Sequence, residues 1–125
     1  MGAVRTKAFP SDPGSAAEAR HWLEAVAAEV EWDGSVDEAV LCVSELVTNS
    51  LRHAGAEVRV TLYRRGAALW VLVKDAGPGS VVRRHALPTD VSGRGLEIVE
   101  RVSSTWGVMA ETDGKAVWFE LSSSS

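Results

Sequence analysis

The chain has 125 residues, which is enough for one domain with a single hydrophobic core but too few for two. Hydrophobic residues make up 46% of it and charged residues 24%, a composition typical of compact proteins and not of disordered ones. The net charge of −4 argues against nucleic acid as a partner, because phosphate-binding surfaces normally carry a basic excess. No apolar run is long enough to cross a membrane and the first residues lack the apolar core of a signal peptide, so we expect a cytoplasmic protein.

The N-terminal half of the chain predicts one strand and two helices. Val4 to Phe9 is a short candidate edge strand. Ser15 to Glu18 has the form of a capping box, and apolar residues keep helical spacing from there to Val30. A second capping box, Ser35 to Glu38, begins a helix that is predicted to run to about Ala54 and to end at Gly55. Cys42, the single cysteine, lies in this helix with no histidine near it in sequence, so we expect a structural thiol and not a nucleophile.

The C-terminal half predicts four strands and a third helix. Alternation from Val58 to Leu62 indicates a half-buried strand, and residues 68–74, apolar on both faces, indicate a central strand. Residues 75–95 have no periodicity and are predicted to form a long loop, followed by a helix that contains Leu96, Ile98, Val99 and Val102. Two last strands, 106–111 and 115–121, flank an Asp-Gly turn.

This order of elements, β-α-α-β-β-loop-α-β-β, predicts the fold class. Helices grouped against a mixed, mostly antiparallel sheet form a two-layer α/β sandwich, here with three helices on one face. We expect one domain over residues 1–121 and a disordered serine tail over residues 122–125.

The second predicted helix carries a polar flank. Glu45, Asn49 and His53 are spaced one helical turn apart, with Arg52 beside them. This flank is either the solvent-exposed face of a surface helix or the lining of a functional site. The helix alone does not distinguish the two.

A glycine-containing segment, Asp75-Ala76-Gly77-Pro78-Gly79, follows the predicted central strand. A carboxylate at that position can accept hydrogen bonds from an amino group such as that of adenine, and glycines let a flat ring approach the backbone. Taken alone, this motif is more often a simple turn.

Gly93-Arg94-Gly95 immediately precedes the third predicted helix. Backbone N–H groups at a helix start form an anion site, and glycine gives phosphate oxygens access to them. A dinucleotide-binding fingerprint is excluded because no strand precedes the motif and its third glycine is missing. A P-loop is excluded because no Gly-Lys-Ser/Thr is present.

Together, these motifs resemble the ATP-binding (GHKL, or Bergerat) fold of gyrase, heat-shock chaperones, histidine kinases and MutL. They are most similar to the small anti-sigma-factor serine/threonine kinases and their stand-alone relatives. ELVTNSLRH resembles the N box of that family, DAGPG its first glycine box, SGRGLEIV its second and DGKAVWFEL its closing strand. The resemblance extends from about Phe9 to Leu121.

The resemblance implies a site for Mg²⁺ and ATP. Asp75 would bind the adenine amino group, and Gly77 and Gly79 would let the base and ribose lie against the backbone. Asn49 would supply a side-chain oxygen to Mg²⁺, a hard cation that prefers oxygen ligands. Gly93 and Gly95 would hold the β- and γ-phosphates at the helix start.

Several basic residues lie in or beside these boxes. Arg52 occupies a position where related kinases often place a basic residue that faces phosphate. Arg83, Arg84 and Arg94 lie in or beside the loop, where they would close on the γ-phosphate. His53 would either pack or touch phosphate. For each arginine taken separately, a solvent-facing role is the favoured interpretation.

Glu45 distinguishes an enzyme from a binding protein. In the serine kinases that the chain resembles, the glutamate at this position is the general base, which orients or deprotonates the attacking hydroxyl. The implied function is phosphorylation of an anti-anti-sigma partner, with sequestration of a sigma factor, and relatives commonly form homodimers. The alternative is a non-catalytic, ATP-gated interaction module.

One departure from the family pattern affects the expected ATP affinity. Many members carry threonine in the closing strand, where its hydroxyl helps to hold adenine, and this chain has Ala116. The loss of one hydrogen bond would weaken ATP binding by about 0.5–1.5 kcal/mol.

Overall fold

The computed structural model describes residues 2–54, 57–76, 94–111 and 114–123. Its elements follow the predicted order. The first half contains β1 (Gly2–Phe9), α1 (Ser15–Glu29) and α2 (Val36–Ala54). The second half contains β2 (Val58–Arg65), β3 (Ala68–Ala76), α3 (Arg94–Val102), β4 (Thr105–Glu111) and β5 (Gly114–Ser122).

The five described strands form one sheet in the order β1-β2-β3-β5-β4. This order confirms β1 as an edge strand and β3 as the central strand. All four pairings are antiparallel, so the sheet is more uniform than the mixed sheet that we expected. Hairpin connections account for two of the pairings, β2 with β3 and β4 with β5. The chain reaches β2 from β1 through α1 and α2, and it returns to pair β5 with β3 through α3 and β4.

The helices cover one face of the sheet, as predicted for a two-layer sandwich. Along β3, Leu69, Val71 and Val73 are buried under the helical layer, whereas Trp70 and Leu72 on the other face are only partly buried. The ring of Tyr63 stacks on that of Trp70, with 5.4 Å between ring centroids, and covers part of this second face. The apolar pattern of β3 therefore reflects helices on one side and cross-strand aromatic packing on the other.

The core lies between the sheet and α2, which packs on α1, α3, β2 and β3. Phe9, at the end of β1, is fully buried and meets Trp22 of α1 edge to face, with 6.0 Å between ring centroids. Between α1 and α2, Arg20 Nη1 donates a hydrogen bond to Ser44 Oγ across 3.0 Å. These contacts hold α2 in the middle of the helical layer.

The predicted capping box at Ser15 is wrong. Gly14 occupies the N-cap, and its carbonyl accepts from Glu18 N at 3.1 Å. The Ser15 hydroxyl instead donates to the carbonyl of Pro10, at 2.6 Å, and so joins the start of α1 to the end of β1. The hydroxyl is thus engaged outside the helix, and α1 begins without a side-chain cap.

The start of α2 follows the sequence prediction more closely. The amide of Glu38 donates to Ser35 Oγ at 3.1 Å, which is the N-cap half of the predicted capping box. Ahead of it, Glu31 ends α1 with a positive φ of 59°. The Glu31 N–H donates a hydrogen bond to the carbonyl of Ala28, and the Trp32 N–H donates to the carbonyl of Ala27. This is the hydrogen-bond pattern of a Schellman motif.

The serine tail is partly ordered, contrary to the prediction of disorder over residues 122–125. Ser122 ends β5 and pairs with Ala68, and Ser123 N donates to Ala67 O at 2.8 Å. The ladder between β3 and β5 extends into the serines because their backbone groups still find partners on β3. Residues 124–125 lie outside the described part of the chain.

Cys42 is fully buried in α2, which agrees with the prediction of a structural thiol. Burial, aided by the negative charge of Glu38, raises the pKa of its thiol from 9.0 to about 12. The thiol therefore stays protonated across the physiological range, and a thiolate nucleophile is absent at this position.

This raised pKa predicts a loss of stability at high pH. The thiol of the unfolded chain ionises from about pH 9, whereas that of the folded chain holds its proton to about pH 12. The stabilisation is complete below pH 9 and falls by up to about 1.4 kcal/mol per pH unit above it. Urea unfolding of wild type and Cys42→Ala between pH 7 and 11 should show their stability difference shrinking above pH 9. If the difference in free energy of unfolding between the two proteins stays constant up to pH 11, the pKa of Cys42 is not raised by folding.

In the part of the chain that the structure describes, no helix combines the length and apolar character needed to cross a bilayer.

Candidate functional site

The polar flank of α2 is the first part of the site. Glu45 and Asn49 are both half-buried, and Asn49 takes part in a polar interaction. They take this position because the opposite side of the helix, with Val43, Leu46 and Val47, is buried in the core. The carboxylate of Glu45 and the carboxamide of Asn49 thus lie on one flank of α2, one helical turn apart.

Two further predicted residues of this helix are described only by their backbone. Arg52 and His53 lie in the last turn of α2, and their side chains are outside the described part of the structure. Their roles stay predictions.

Asp75 is the second part of the site. It lies near the end of the central strand β3 and is only 4% exposed. Its Oδ1 accepts a hydrogen bond from the backbone N–H of Lys115 on β5, at 3.1 Å. This bond fixes the carboxylate against the neighbouring strand and gives one of its buried oxygens a hydrogen-bond partner.

The partners of Asp75 across the sheet are Val58 on β2 and Lys115 on β5. Lys115 therefore shares the face of the sheet that carries the Asp75 carboxylate. Ala116 pairs with Lys74 on one side and Met109 on the other, which places it on the opposite face. The expectation that Ala116 removes a hydroxyl from the base site is therefore wrong, because its side chain points away from Asp75.

Ala116→Thr tests this assignment of faces. We expect no gain in Mg·ATP affinity, because the new hydroxyl would lie on the far side of the sheet. Ala116 is fully buried, so an unpaired hydroxyl there should lower the free energy of unfolding by about 1–3 kcal/mol. Calorimetric titration and thermal unfolding measure the two effects. Ala8→Thr, on the exposed edge strand, is the control, and a tenfold or greater gain in affinity for Ala116→Thr alone would contradict the register.

The start of α3 is the third part of the site. Arg94 and Gly95 form its first turn, Val99 buries the helix in the core, and α3 packs on α2. Gly93 and the side chain of Arg94 lie outside the described residues, as do Gly77, Gly79, Arg83 and Arg84. The structure thus places the helix terminus that the sequence predicted and leaves the phosphate contacts as predictions.

These three parts adjoin through α2, which packs on both β3 and α3. Each part suits one polar group of a nucleotide. The buried carboxylate can accept from a base amino group, and the acid and amide flank of α2 suits a metal ion bound to phosphates. The N-terminus of α3 suits a phosphate anion.

A family model for the histidine kinase-like ATPase domain matches residues 9–121. The chain belongs to this family. No curated protein matches it. Among solved structures, it is similar to the crystal structure of the RsbU and RsbW domains of Rv1364c from Mycobacterium tuberculosis, with a TM-score of 0.72 and 19% identity. That match covers 96% of this chain but only 32% of the other, so the likeness concerns the fold of one part of a longer protein.

As a histidine kinase-like ATPase domain, the chain has residues that fit ATP at the base site. Asp75 is buried and already bound at Oδ1, and a carboxylate has a second oxygen with which to accept from a base amino group. Among the described residues, no group of three or more His, Cys, Asp or Glu side chains could hold a metal ion. Mg²⁺ prefers oxygen ligands and commonly keeps waters and substrate phosphates, and the side-chain oxygen of Asn49 is the protein ligand that the sequence predicts.

The sequence prediction missed the role of Lys115. Its backbone amide, and not a side-chain hydroxyl, is the group on β5 that holds the Asp75 carboxylate. The Asp-Gly turn before β5 was visible in the sequence, but the pairing of β5 with β3 joins residues 40 positions apart and needed the sheet order.

Proposed function

We propose that this protein is an ATP-dependent serine/threonine kinase of the anti-sigma-factor type. In this proposal the base of ATP binds at Asp75, the phosphates bind at the start of α3, and Asn49 supplies an oxygen to the accompanying Mg²⁺. The observation that carries the proposal is the buried Asp75 carboxylate, held by Lys115 N at the end of the central strand of an ATPase-family fold.

Glu45 is the catalytic residue in this proposal. A hydroxyl oxygen of the protein substrate attacks the γ-phosphorus, and the bond between that phosphorus and the β–γ bridging oxygen breaks, which leaves ADP. The proton of the hydroxyl passes to the Glu45 carboxylate, which is half-buried and one turn from Asn49.

The substrate that we propose is a protein. The name of the structural neighbour pairs an RsbU domain with an RsbW domain, which supports a role in partner switching for a domain of this fold. An anti-anti-sigma protein is the proposed phosphoacceptor, and a sigma factor is the proposed second partner. We propose that the kinase works in the cytoplasm, where both partners of such a switch are found.

A second candidate function is an ATP-gated interaction protein without phosphotransfer. It is favoured by the same base site, since binding at Asp75 requires no catalysis at Glu45. In that case ATP shifts the equilibrium between two forms that differ in affinity for a partner.

The first experiment is a calorimetric titration of the protein with Mg·ATP, followed by a phosphotransfer assay. Saturable binding supports the nucleotide site, and transfer of γ-phosphate to a serine or threonine then distinguishes the kinase from the gated binder. A folded protein that binds no Mg·ATP would overturn both functions.

A further inference from the structure

An open cavity of about 480 Å³ lies between α1, α2 and the turn that follows β1. Three stretches of chain line it: the turn after β1, the first turns of α1 and the C-terminal half of α2. We call it the α1–α2 cleft, and its lining residues are Ser11, Asp12, Pro13, Ala16, Thr48 and Leu51. Its volume lies within the range of about 300–1,000 Å³ that is usual for ligand sites.

The turn that forms the rim of the cleft is held by its own hydrogen bonds. Asp12 Oδ1 accepts from Gly14 N at 2.7 Å, and Asp12 O accepts from Ser15 N at 3.0 Å. Ser15 Oγ closes the turn onto Pro10 O at 2.6 Å. A rim fixed in this way loses little conformational entropy when a ligand binds, which favours a docking role.

The α1–α2 cleft borders the proposed catalytic residue. Thr48, on the cleft wall, follows Glu45 by three residues and so lies beside it on the α2 surface. One turn before Glu45 on the same strip is Leu41, which is 44% exposed. Glu45 thus lies between an exposed leucine and a cleft with apolar lining from Pro13, Ala16 and Leu51.

We propose that the α1–α2 cleft docks the hydroxyl-bearing segment of the protein substrate. This inference rests on the proposed kinase function. A segment that runs along this strip of α2 brings its hydroxyl to Glu45, and the cleft and Leu41 are the apolar surfaces that flank that path. An apolar side chain of the segment enters the cleft, while its backbone passes Thr48 and reaches Glu45.

The geometry sets where that apolar side chain stands in the substrate. From Glu45 to Leu51 the helix rises roughly 9 Å. An extended chain advances about 3.3 Å per residue, so the apolar residue stands roughly two or three positions from the phosphorylated serine or threonine. A preference at such a fixed spacing is not expected if the cleft binds a small molecule or nothing.

An oriented peptide library tests the proposal. Each peptide carries one central serine with randomised flanking positions, and the full-length protein phosphorylates the library with Mg·ATP. We expect enrichment of leucine, isoleucine, valine or methionine two or three positions from the serine. For the best single peptide, Ala16→Leu should raise KM about tenfold or more with little change in kcat, because the new side chain fills the pocket for an anchor residue.

Ala25→Leu is the matched control, since it makes the same change at an exposed position of the same helix. Ser11→Trp, at the exposed rim, blocks the cleft without entering the core and serves if Ala16→Leu does not fold. Both cleft variants should bind Mg·ATP like the wild type.

Other outcomes overturn the proposal. If apolar enrichment and KM are unchanged in both cleft variants, the cleft does not dock the substrate. If Mg·ATP binds but no peptide is phosphorylated, peptide docking in the cleft is wrong while the nucleotide site stands. If the wild type does not bind Mg·ATP in the calorimeter, the proposed function fails first, and this inference fails with it.

Discussion

Asp75→Asn should weaken Mg·ATP binding by about 10- to 150-fold, the loss expected when a charged hydrogen bond of about 1.5–3 kcal/mol is removed. The asparagine carbonyl oxygen can still accept from Lys115 N, so the bond between β3 and β5 is kept. Its amide nitrogen then stands where the second carboxylate oxygen stood. Two donors, the amide and the base amino group, face each other, and the base loses its acceptor.

Calorimetric titration of wild type and Asp75→Asn with Mg·ATP measures this loss. Asp33→Asn is the control, because it makes the same chemical change in the exposed turn between α1 and α2. Thermal unfolding of all three proteins shows whether the fold is intact. Equal Mg·ATP affinity in Asp75→Asn and wild type would refute the assignment of Asp75 to the base site.

Helices and strands were predictable where apolar residues recur at regular spacing and that spacing places them on the buried face. α2 alternates buried Val43, Leu46 and Val47 with a polar flank, and its length and start were both predicted from that pattern and from Ser35. The order of all eight described elements was also predicted, from periodicity in the helices and in β2, from the apolar run of β3, and from the Asp-Gly turn between β4 and β5.

Predictions of local structure were wrong where two arrangements are compatible with the same short sequence. Ser15 fits a capping box, yet one residue of difference in the helix start moves the N-cap to Gly14, and the nearby Pro10 carbonyl takes the hydroxyl. Ser122 and Ser123 belong to a serine run that is typical of a disordered tail. Their backbone groups nevertheless pair with Ala68 of β3 and with Ala67 just before it. Such choices depend on what the rest of the fold brings near, which no local pattern contains.

The candidate site was predictable as a set of motifs but not as a geometry. Asp75 was identified from a strand followed by glycines, and the structure then added its burial and its bond to Lys115 N. Ala116 was matched to the threonine of the family pattern by sequence alone, and the register of β5 places it on the face opposite Asp75, because neighbouring residues of a strand point to opposite faces. The α1–α2 cleft was not predicted at all, since it arises from packing between a turn and two helices.

Glu45→Gln should lower the rate of phosphotransfer by about 100- to 10,000-fold, the usual contribution of a positioned general base. Glutamine keeps the size of the side chain and one carbonyl oxygen, so the half-buried position on α2 stays filled. It cannot accept the proton of the attacking hydroxyl at neutral pH. Because the proposed contacts to the base of ATP are at Asp75 and those to its phosphates at the start of α3, Mg·ATP affinity should change by less than about threefold.

Single-turnover assays with radiolabelled ATP and a phosphorylated peptide measure the rate, and calorimetry measures the binding. Glu38→Gln is the matched control, because Glu38 is an exposed glutamate near the start of the same helix. A rate that falls only in Glu45→Gln, with binding kept, supports the kinase. If Glu45→Gln transfers phosphate as fast as the wild type, Glu45 is not the base. If neither protein transfers phosphate but partner binding depends on ATP in both, the site functions as an ATP-controlled interaction switch, because nucleotide binding at Asp75 does not require the carboxylate of Glu45.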